Sequence, residues 1–468
     1  MRPSRKTLRP WLAGLLAATL LLAPVTQVQH AAAADASLVV AALHVVEQQY
    51  VEPVHPVPLL NAAIATLRKA THLGPEVLRD IAPGTPEAVA VSQFTAEFSR
   101  AAQTGALPET LLAYVTTEGM LESLHDSHTR FLTPEQLREE RRSLFGNPAF
   151  TGIGVTITQR KEDNGAASIF VGDVFPGSPA AAAGIRRFDK IVRVDGKPLQ
   201  NVNTLDASQL IRGPAGSAVT LVIQRGAQTL QVQVVRAPIR VPPVEGRWLR
   251  PGVAYVKMYG FTQGVGRQIR QALEKLGTER SIRSVVLDLR GNPGGLVVEA
   301  SSVGGVFMPP RTVLARVIER GQEPSTLRTA GAPLLPRTPL VVLVDAGSAS
   351  ASEILAGAFK DYQRATIVGE KTAGALGGSV TLALPEGGVS VTVERIVTPK
   401  NAQVEGVGIN PDVAITLTIA DMERGQDPQL EAALHALGHA RARHLLEAAC
   451  ATAPCHGVHT GASAGWNF

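Results

Sequence analysis

Leu340-Val-Val-Leu-Val-Asp-Ala-Gly-Ser-Ala-Ser-Ala-Ser-Glu353 begins with five apolar residues and continues, past Asp345, through seven small ones. An unbroken apolar run of that length reads as a strand buried on both faces, the kind found in helix-covered parallel sheets. The small residues predict a tight turn into a helix over 352–362. Ser284-Val-Val-Leu-Asp-Leu289 repeats the plan, running into Arg290-Gly-Asn-Pro-Gly-Gly295 and a helix near 296–306. Upstream, Val253-Ala-Tyr-Val-Lys-Met258 predicts another strand and 263–276 another helix. Such alternation gives an α/β fold around a buried sheet. A strand that opens through small residues onto a helix N-terminus can seat a nucleophile where N–H groups and the helix dipole favour a developing oxyanion. Phosphate cradles use similar loops. Here, however, no Lys follows glycine in P-loop form, and there is no G-x-S-x-G elbow.

Outward from this core the chain changes character twice. Residues 35–150 read as helical, with apolar spacing in Leu38–Val46, Leu59–Leu67 and Glu109–Leu124. From 151 to about 238 short β-rich runs alternate with glycine turns: Gly152–Ile157, Ser168–Val171, Lys190–Val194 and Val219–Ile223. Ser178-Pro-Ala-Ala-Ala-Ala183 opens a short helix, with Gly184 as its C-cap. Pro238–Pro243 reads as a proline-punctuated linker into a core over 239–420, and 421–468 as a helical tail.

Charge and composition exclude several classes. The chain has 468 residues with 45 Lys+Arg, 40 Asp+Glu, and 45% hydrophobic residues, which is neither disordered nor coiled-coil composition. Residues 1–34 hold Arg2, Arg5, Lys6 and Arg9 and no acid, then the apolar run Trp11–Ala23 and the small residues Ala31–Ala34. These are the three parts of a secretory signal, and thirteen apolar residues fall short of the ~20 that span a bilayer. An exported protein of the periplasm or cell envelope follows as the expectation, with no stable membrane span. Without the signal 41 basic residues face 40 acidic ones. So balanced a chain has no electrostatic footprint for nucleic acid. Cys450 and Cys455 are close enough in sequence to close a small loop. His435, His439, His444, His456 and His459 lack the spacing of a metal motif, so neither metal nor cofactor is expected.

Two resemblances sharpen this reading. The succession Gly177-Ser-Pro-Ala-Ala-Ala-Ala-Gly-Ile185 and Asp189-Lys-Ile-Val-Arg-Val-Asp-Gly196 resembles a PDZ domain in its circularly permuted bacterial form. A PDZ domain adds a peptide strand to a sheet edge and captures a C-terminal carboxylate on loop N–H groups. Gly152, Ile153, Gly154 and Val155 would be that loop, and polypeptides with apolar C-terminal ends the partners. Leu289-Arg-Gly-Asn-Pro-Gly-Gly295, Gly347-Ser-Ala-Ser-Ala-Ser-Glu-Ile354 and Gly406-Val-Gly-Ile-Asn-Pro-Asp412 together resemble the C-terminal processing peptidases, or tail-specific proteases. That resemblance implies a crotonase-like serine protease core with an inserted PDZ domain and an N-terminal helical segment. It implies Ser350 as nucleophile, with the Ala351 amide and a glycine of the Gly294-Gly295 pair as oxyanion hole. Ser348 and Ser352 are left as loop and helix-cap serines, and Asp288 and Asp345 as strand-end loop caps.

The family's usual general base does not match. Its lysine lies 25 residues after the nucleophile, with a glutamine four further on; here those positions are Ala375 and Ser379. A serine hydroxyl needs a positioned base, worth about 10²–10⁴ in rate. Ser127-His128 and Glu405 are similar to the tricorn-type branch, in which they would be relay, base and orienting carboxylate for Ser350. Imidazole suits the role because its ordinary pKa is about 6.5. Lys371 is a second candidate base. The competing class is a non-catalytic peptide-binding adaptor. Homo-oligomerisation and an adaptor partner are left open by the sequence.

Overall fold

The computed structural model describes residues 35–145, 149–162 and 165–438. The expected signal segment, Cys450, Cys455 and the histidines from His439 onward lie outside them. The described residues divide into two compact units: 35–134 with 379–393, and 135–378 with 394–438.

The first unit is built on four helices, Ala36–Gln49, Pro56–Thr71, Glu87–Ala102 and Glu109–Glu122. Apolar residues at helical spacing put Leu38, Leu43, Leu60, Ile64, Leu67, Phe94, Phe98 and Leu121 in one core. Phe131, Val389 and Val391 join that core from a β-pair. Arg130–Leu132 runs antiparallel to Gly388–Ser390, and Val389 faces Phe131 in register.

The second unit holds two sheets that matter for function. The first has Val253–Met258, Ser284–Asp288, Leu340–Val344, Thr366–Gly369 and Val413–Ala414 in parallel order, with Val244–Arg250 antiparallel at one edge. Every residue of Ser284–Asp288 and Leu340–Val344 is buried, as continuous apolar runs require of strands covered on both faces. Helices Val265–Glu279, Val297–Phe307 and Ala351–Asp361 pack a core that includes Ile269, Val303, Leu355 and Phe359. The opposite face holds Val286, Val341 and Leu343 against Ala433 and Leu437 of the helical residues 428–438. No helix among the described residues is long and apolar enough to cross a membrane.

The other sheet orders Val155–Lys161, Ala167–Val174, Lys190–Val194, Ala218–Arg225 and Gln228–Val235, all antiparallel. The short helix Pro179–Ala182 is capped by Ser178, whose Oγ accepts from the Ala181 N–H at 3.2 Å, and Gly184 follows at φ +75°. Two local expectations change here. The run from Gly152 to Ile157 is not one strand: Ala149–Gly152 pairs with Ala237–Arg240, and a new strand starts at Val155. Between them the Ile153 and Gly154 carbonyls accept from Ala180 and Phe175, and Gly154 stands at φ +85°. Part of the expected linker is therefore a strand, and Pro238 is tolerated because a two-stranded ribbon leaves one side of each strand without a ladder.

Candidate active site

Ser350 follows the carboxyl end of Leu340–Val344 and stands at φ 53°, ψ −116°, immediately before helix Ala351–Asp361. A non-glycine residue there costs about 1–3 kcal/mol and persists only when its surroundings over-determine it. The Ser350 N–H donates to the Ala375 carbonyl at 2.9 Å and to Glu353 Oε2 at 3.1 Å. Glu353, 0% exposed, also accepts from Thr372 Oγ1 at 2.5 Å, the Gly374 N–H at 2.8 Å and the Ala375 N–H at 3.0 Å. Four donors take the place of water around one buried carboxyl group, so the residue can be enclosed without a large desolvation penalty. One helix-first-turn glutamate thereby pins the strained serine to the loop over 372–375.

The glycine-rich loop after Ser284–Asp288 is laced to the serine loop. Ala349 N–H and Ser352 Oγ both donate to the Asn292 carbonyl, at 3.1 and 3.0 Å. Ser348 Oγ donates to the Leu289 carbonyl at 2.8 Å, and Asp345 Oδ1 accepts from Gly291 and Gly347 at 2.7 and 2.9 Å. Ser348 and Ser352 are thus buried ties, while Ser350 is half-buried. Gly294, at φ +91°, lies so close that a Cβ there would stand 2.6 Å from Ser350 Cβ and 2.9 Å from the Ala351 nitrogen. Its own N–H is taken by Asn292 Oδ1 at 3.0 Å. Gly295 differs. Phe261 donates to the Gly294 carbonyl and accepts from Leu296, a bridge that uses the groups on either side of Gly295 and not its N–H. The Ala351 N–H, in the helix's first position, has no intrahelical acceptor.

Glu405 belongs to the same unit. Its Oε2 accepts from the Leu376 N–H at 2.5 Å, and Gly406 N–H donates to the Gly374 carbonyl at 2.7 Å. The loop on which the family carries its lysine is therefore tied both to Glu353 and to Glu405. Ala375 offers no side-chain base, and Lys371 is exposed at the start of that loop.

Ser127 and His128 belong to the first unit. Ser127 Oγ lies 2.8 Å from His128 Nδ1, leaving Nε2 as the other ring nitrogen. The corner is fixed by Asp126, whose Oδ1 accepts from the His128 and Thr129 N–H groups at 2.7 and 3.2 Å and from Thr392 Oγ1 at 2.9 Å. His128 is half-buried and Ser127 exposed.

The antiparallel sheet of the second unit carries a groove of about 60 Å³. Gly152, Ile153, Gly154, Val155 and Ile157 form one side, and Ser208, Ile211 and Arg212 at the end of helix Thr204–Ile211 form the other. The four residues singled out in the sequence do line a cleft between a strand and a helix, the geometry in which an added peptide strand fits. The helix side went unread, because nothing in a short amphipathic run says which strand it will face. Glu353 was likewise missed, although a glutamate three residues after a helix-opening serine is a capping signature. Asp288 is more than a loop cap. It is 0% exposed, and both its oxygens engage Arg290.

Residues 252–415 match the model of peptidase family S41 and residues 145–224 that of the PDZ domain. The carboxyl-terminal-processing protease of Synechocystis sp. is 34% identical over 69% of this chain and 76% of its own length. The carboxy-terminal-processing protease of Bartonella bacilliformis is 33% identical over 67% and 71%. The chloroplastic carboxyl-terminal-processing peptidase 2 of Arabidopsis thaliana is 34% identical over 64% of this chain, which spans 59% of that relative. Among solved structures, the photosystem II D1 C-terminal processing protease superposes with a TM-score of 0.50 at 28% identity, covering 81% of this chain and 93% of that one. The reading as a non-catalytic adaptor finds no support among them. The chain belongs to the carboxyl-terminal processing proteases, serine proteases of peptidase family S41 that carry a PDZ domain.

Proposed function

We propose that the protein is an exported endopeptidase that binds C-terminal or unfolded ends of envelope polypeptides in the Gly152–Val155 groove and cuts near them at Ser350. The observation that carries the reading is Ser350 itself: a strained, half-buried serine at a helix N-terminus, pinned by Glu353 and pressed against Gly294. In a crotonase-like core of this kind, Ser350 Oγ attacks the scissile carbonyl while His128 Nε2 takes its proton. Ser127 holds the imidazole through Nδ1 and Glu405 supplies the orienting carboxylate. The oxyanion is received by the Ala351 and Gly295 N–H groups; Gly294, whose N–H is already bonded, keeps the loop close instead. One such donor contributes about 10²–10³ in rate. As the tetrahedral intermediate collapses to the acyl-enzyme, His128 gives the proton to the leaving amine; it then activates the water that hydrolyses the ester and frees Ser350. Apolar C-terminal side chains suit the Ile153, Val155, Ile157 and Ile211 surface of the groove.

The test is fluorophosphonate labelling of the protein with the adduct mapped by mass spectrometry, His128→Ala and Lys371→Ala beside it. An adduct on Ser350 that is lost in His128→Ala and kept in Lys371→Ala supports the assignment. Labelling that survives His128→Ala removes the histidine, and absence of any adduct on Ser350 removes the active site as drawn.

A further inference from the structure

Behind the glycine-rich loop, within the second unit, three acids and three bases cluster, with Asp288, Arg290 and Lys257 buried and Asp173, Arg187 and Asp427 half-buried. Arg290, which opens Arg290-Gly-Asn-Pro-Gly-Gly295, donates from Nε and Nη2 to Asp288 and from Nη1 to Asp427 Oδ1 at 2.8 Å. Asp427 Oδ2 accepts at 2.9 Å from Nη1 of Arg187, in the turn ahead of the strand Lys190–Val194. Lys257 Nζ lies 3.3 Å from Asp173 Oδ2 and 3.5 Å from Asp288 Oδ1, and donates to the Arg290 carbonyl at 2.6 Å. The charges balance, three against three, which is what makes so much burial affordable. Burial alone would push Asp288 and Asp427 up, but Arg290 with Lys257, and Arg290 with Arg187, hold the two carboxyls below their ordinary range.

The position of Asp427 is what gives this cluster a consequence. It lies twelve residues beyond the stretch that matches the protease family, which ends at residue 415, and just ahead of the helical residues 428–438. Yet it is one of two carboxylates holding the guanidinium at the root of the loop that ends in Gly294-Gly295. The other, Asp288, is on the same strand-loop segment as Arg290 and ties it to Tyr255 and Lys257 of the neighbouring strand, so the hold on the C-terminal segment falls to Asp427. Gln429 Oε1 adds a neutral acceptor to the same Nη1 at 3.0 Å, from the same C-terminal segment.

Resting on the reading of Gly295 as an oxyanion donor, we infer that Asp427 is a positioning residue for catalysis. It anchors Arg290, and through it the Arg290–Gly295 loop, to the C-terminal segment and to Arg187 of the PDZ domain. An N–H that must meet a developing charge loses up to about 10²-fold when misplaced by an ångström, without any change in substrate affinity. The experiment uses the full chain, a quenched fluorescent peptide with an apolar C-terminus, and the fluorophosphonate probe. Asp427→Asn keeps the shape and one acceptor but leaves two guanidinium groups competing for it. The expected result is a fall of about 10–100-fold in kcat and in Ser350 labelling rate. KM stays within about twofold and circular dichroism shows a fully folded protein. Unchanged kcat and labelling overturn the inference, and so does a loss matched by the unfolded fraction or one confined to KM. If the unaltered protein is neither labelled nor active, the reading of the site has failed and the inference falls with it. A labelled, active parent with an indifferent Asp427→Asn discards Asp427 alone.

Discussion

The two halves of the proposed catalytic machinery are built to different standards. Ser350 sits in the second unit at the end of a fully buried strand, held by a buried glutamate with four donors and by a second loop laced across it. His128 sits in the first unit on a short corner, with an exposed serine on its ring and one aspartate beneath its backbone. The difference follows from what each must do. A nucleophile under backbone strain has to be over-determined or it relaxes, whereas an imidazole needs only its tautomer and direction fixed. The serine end is therefore expensive to alter and the histidine end cheap.

Substitutions should expose that asymmetry. Ser350→Ala is expected to abolish fluorophosphonate labelling and to lower turnover by about 10⁴-fold or more, with thermal unfolding unchanged because alanine bears the same backbone strain. His128→Ala should cost about 10²–10⁴ in kcat with no change in melting temperature, since no buried contact is lost, and Lys371→Ala should cost nothing. If His128→Ala unfolded the first unit instead, its corner would be structural and the contrast would collapse. Glu353→Gln touches both properties. It turns a donor towards N–H groups that now find an acceptor, which should cost about 1–3 kcal/mol in denaturant unfolding together with a loss of activity.

Acid should separate the units more gently. Asp288 and Asp427 in the second unit have lowered folded pKa values, so their contribution is present above the unfolded carboxyl pKa, near 3.9, and is lost as pH falls through the folded one. Glu118 in the first unit is raised, chiefly by burial, although its Oε2 accepts from the Phe131 N–H at 2.8 Å. Its ionisation works against folding at neutral pH, and protonation relieves that cost. Hydrogen exchange followed from about pH 5 to about pH 1 should show protection falling around Asp288 and Asp427 before it falls around Glu118. A uniform loss would mean that the charge cluster carries no particular share of the second unit's stability.

Much of the second unit was legible in the sequence, because parallel strands buried on both faces advertise themselves as apolar runs and small-residue loops mark their ends. The two small-residue loops fell out of that pattern, whereas Ser350, Gly294 and Gly295 within them were singled out by the family resemblance. Partners fixed by tertiary approach came from neither. Glu353 reads as a helix cap until Thr372, Gly374 and Ala375 are seen around it. Arg290 and Asp427 are ordinary surface types separated by 137 residues, and only the folded chain buries them together. In the first unit the periodic helices were readable, but helix Glu87–Ala102, with its apolar residues diluted by polar ones, was not singled out. Nor could spacing reveal that Val389 and Val391 would complete a core begun at Leu38.

That last arrangement has a consequence in time. The first unit is interrupted by residues 135–378, so its helices are made long before the strand that closes their core. At ~5–20 residues per second, synthesis of the intervening stretch takes roughly 12–50 s. For that interval Leu60, Phe94 and their neighbours have no Val389 or Val391 to pack against, and the unit carrying His128 is closed only when residues 379–393 are made, with the last part of the second unit still to follow. Under the proposed mechanism the nascent chain therefore has no finished corner around His128 until residue 393 is made, long after the helices that carry it.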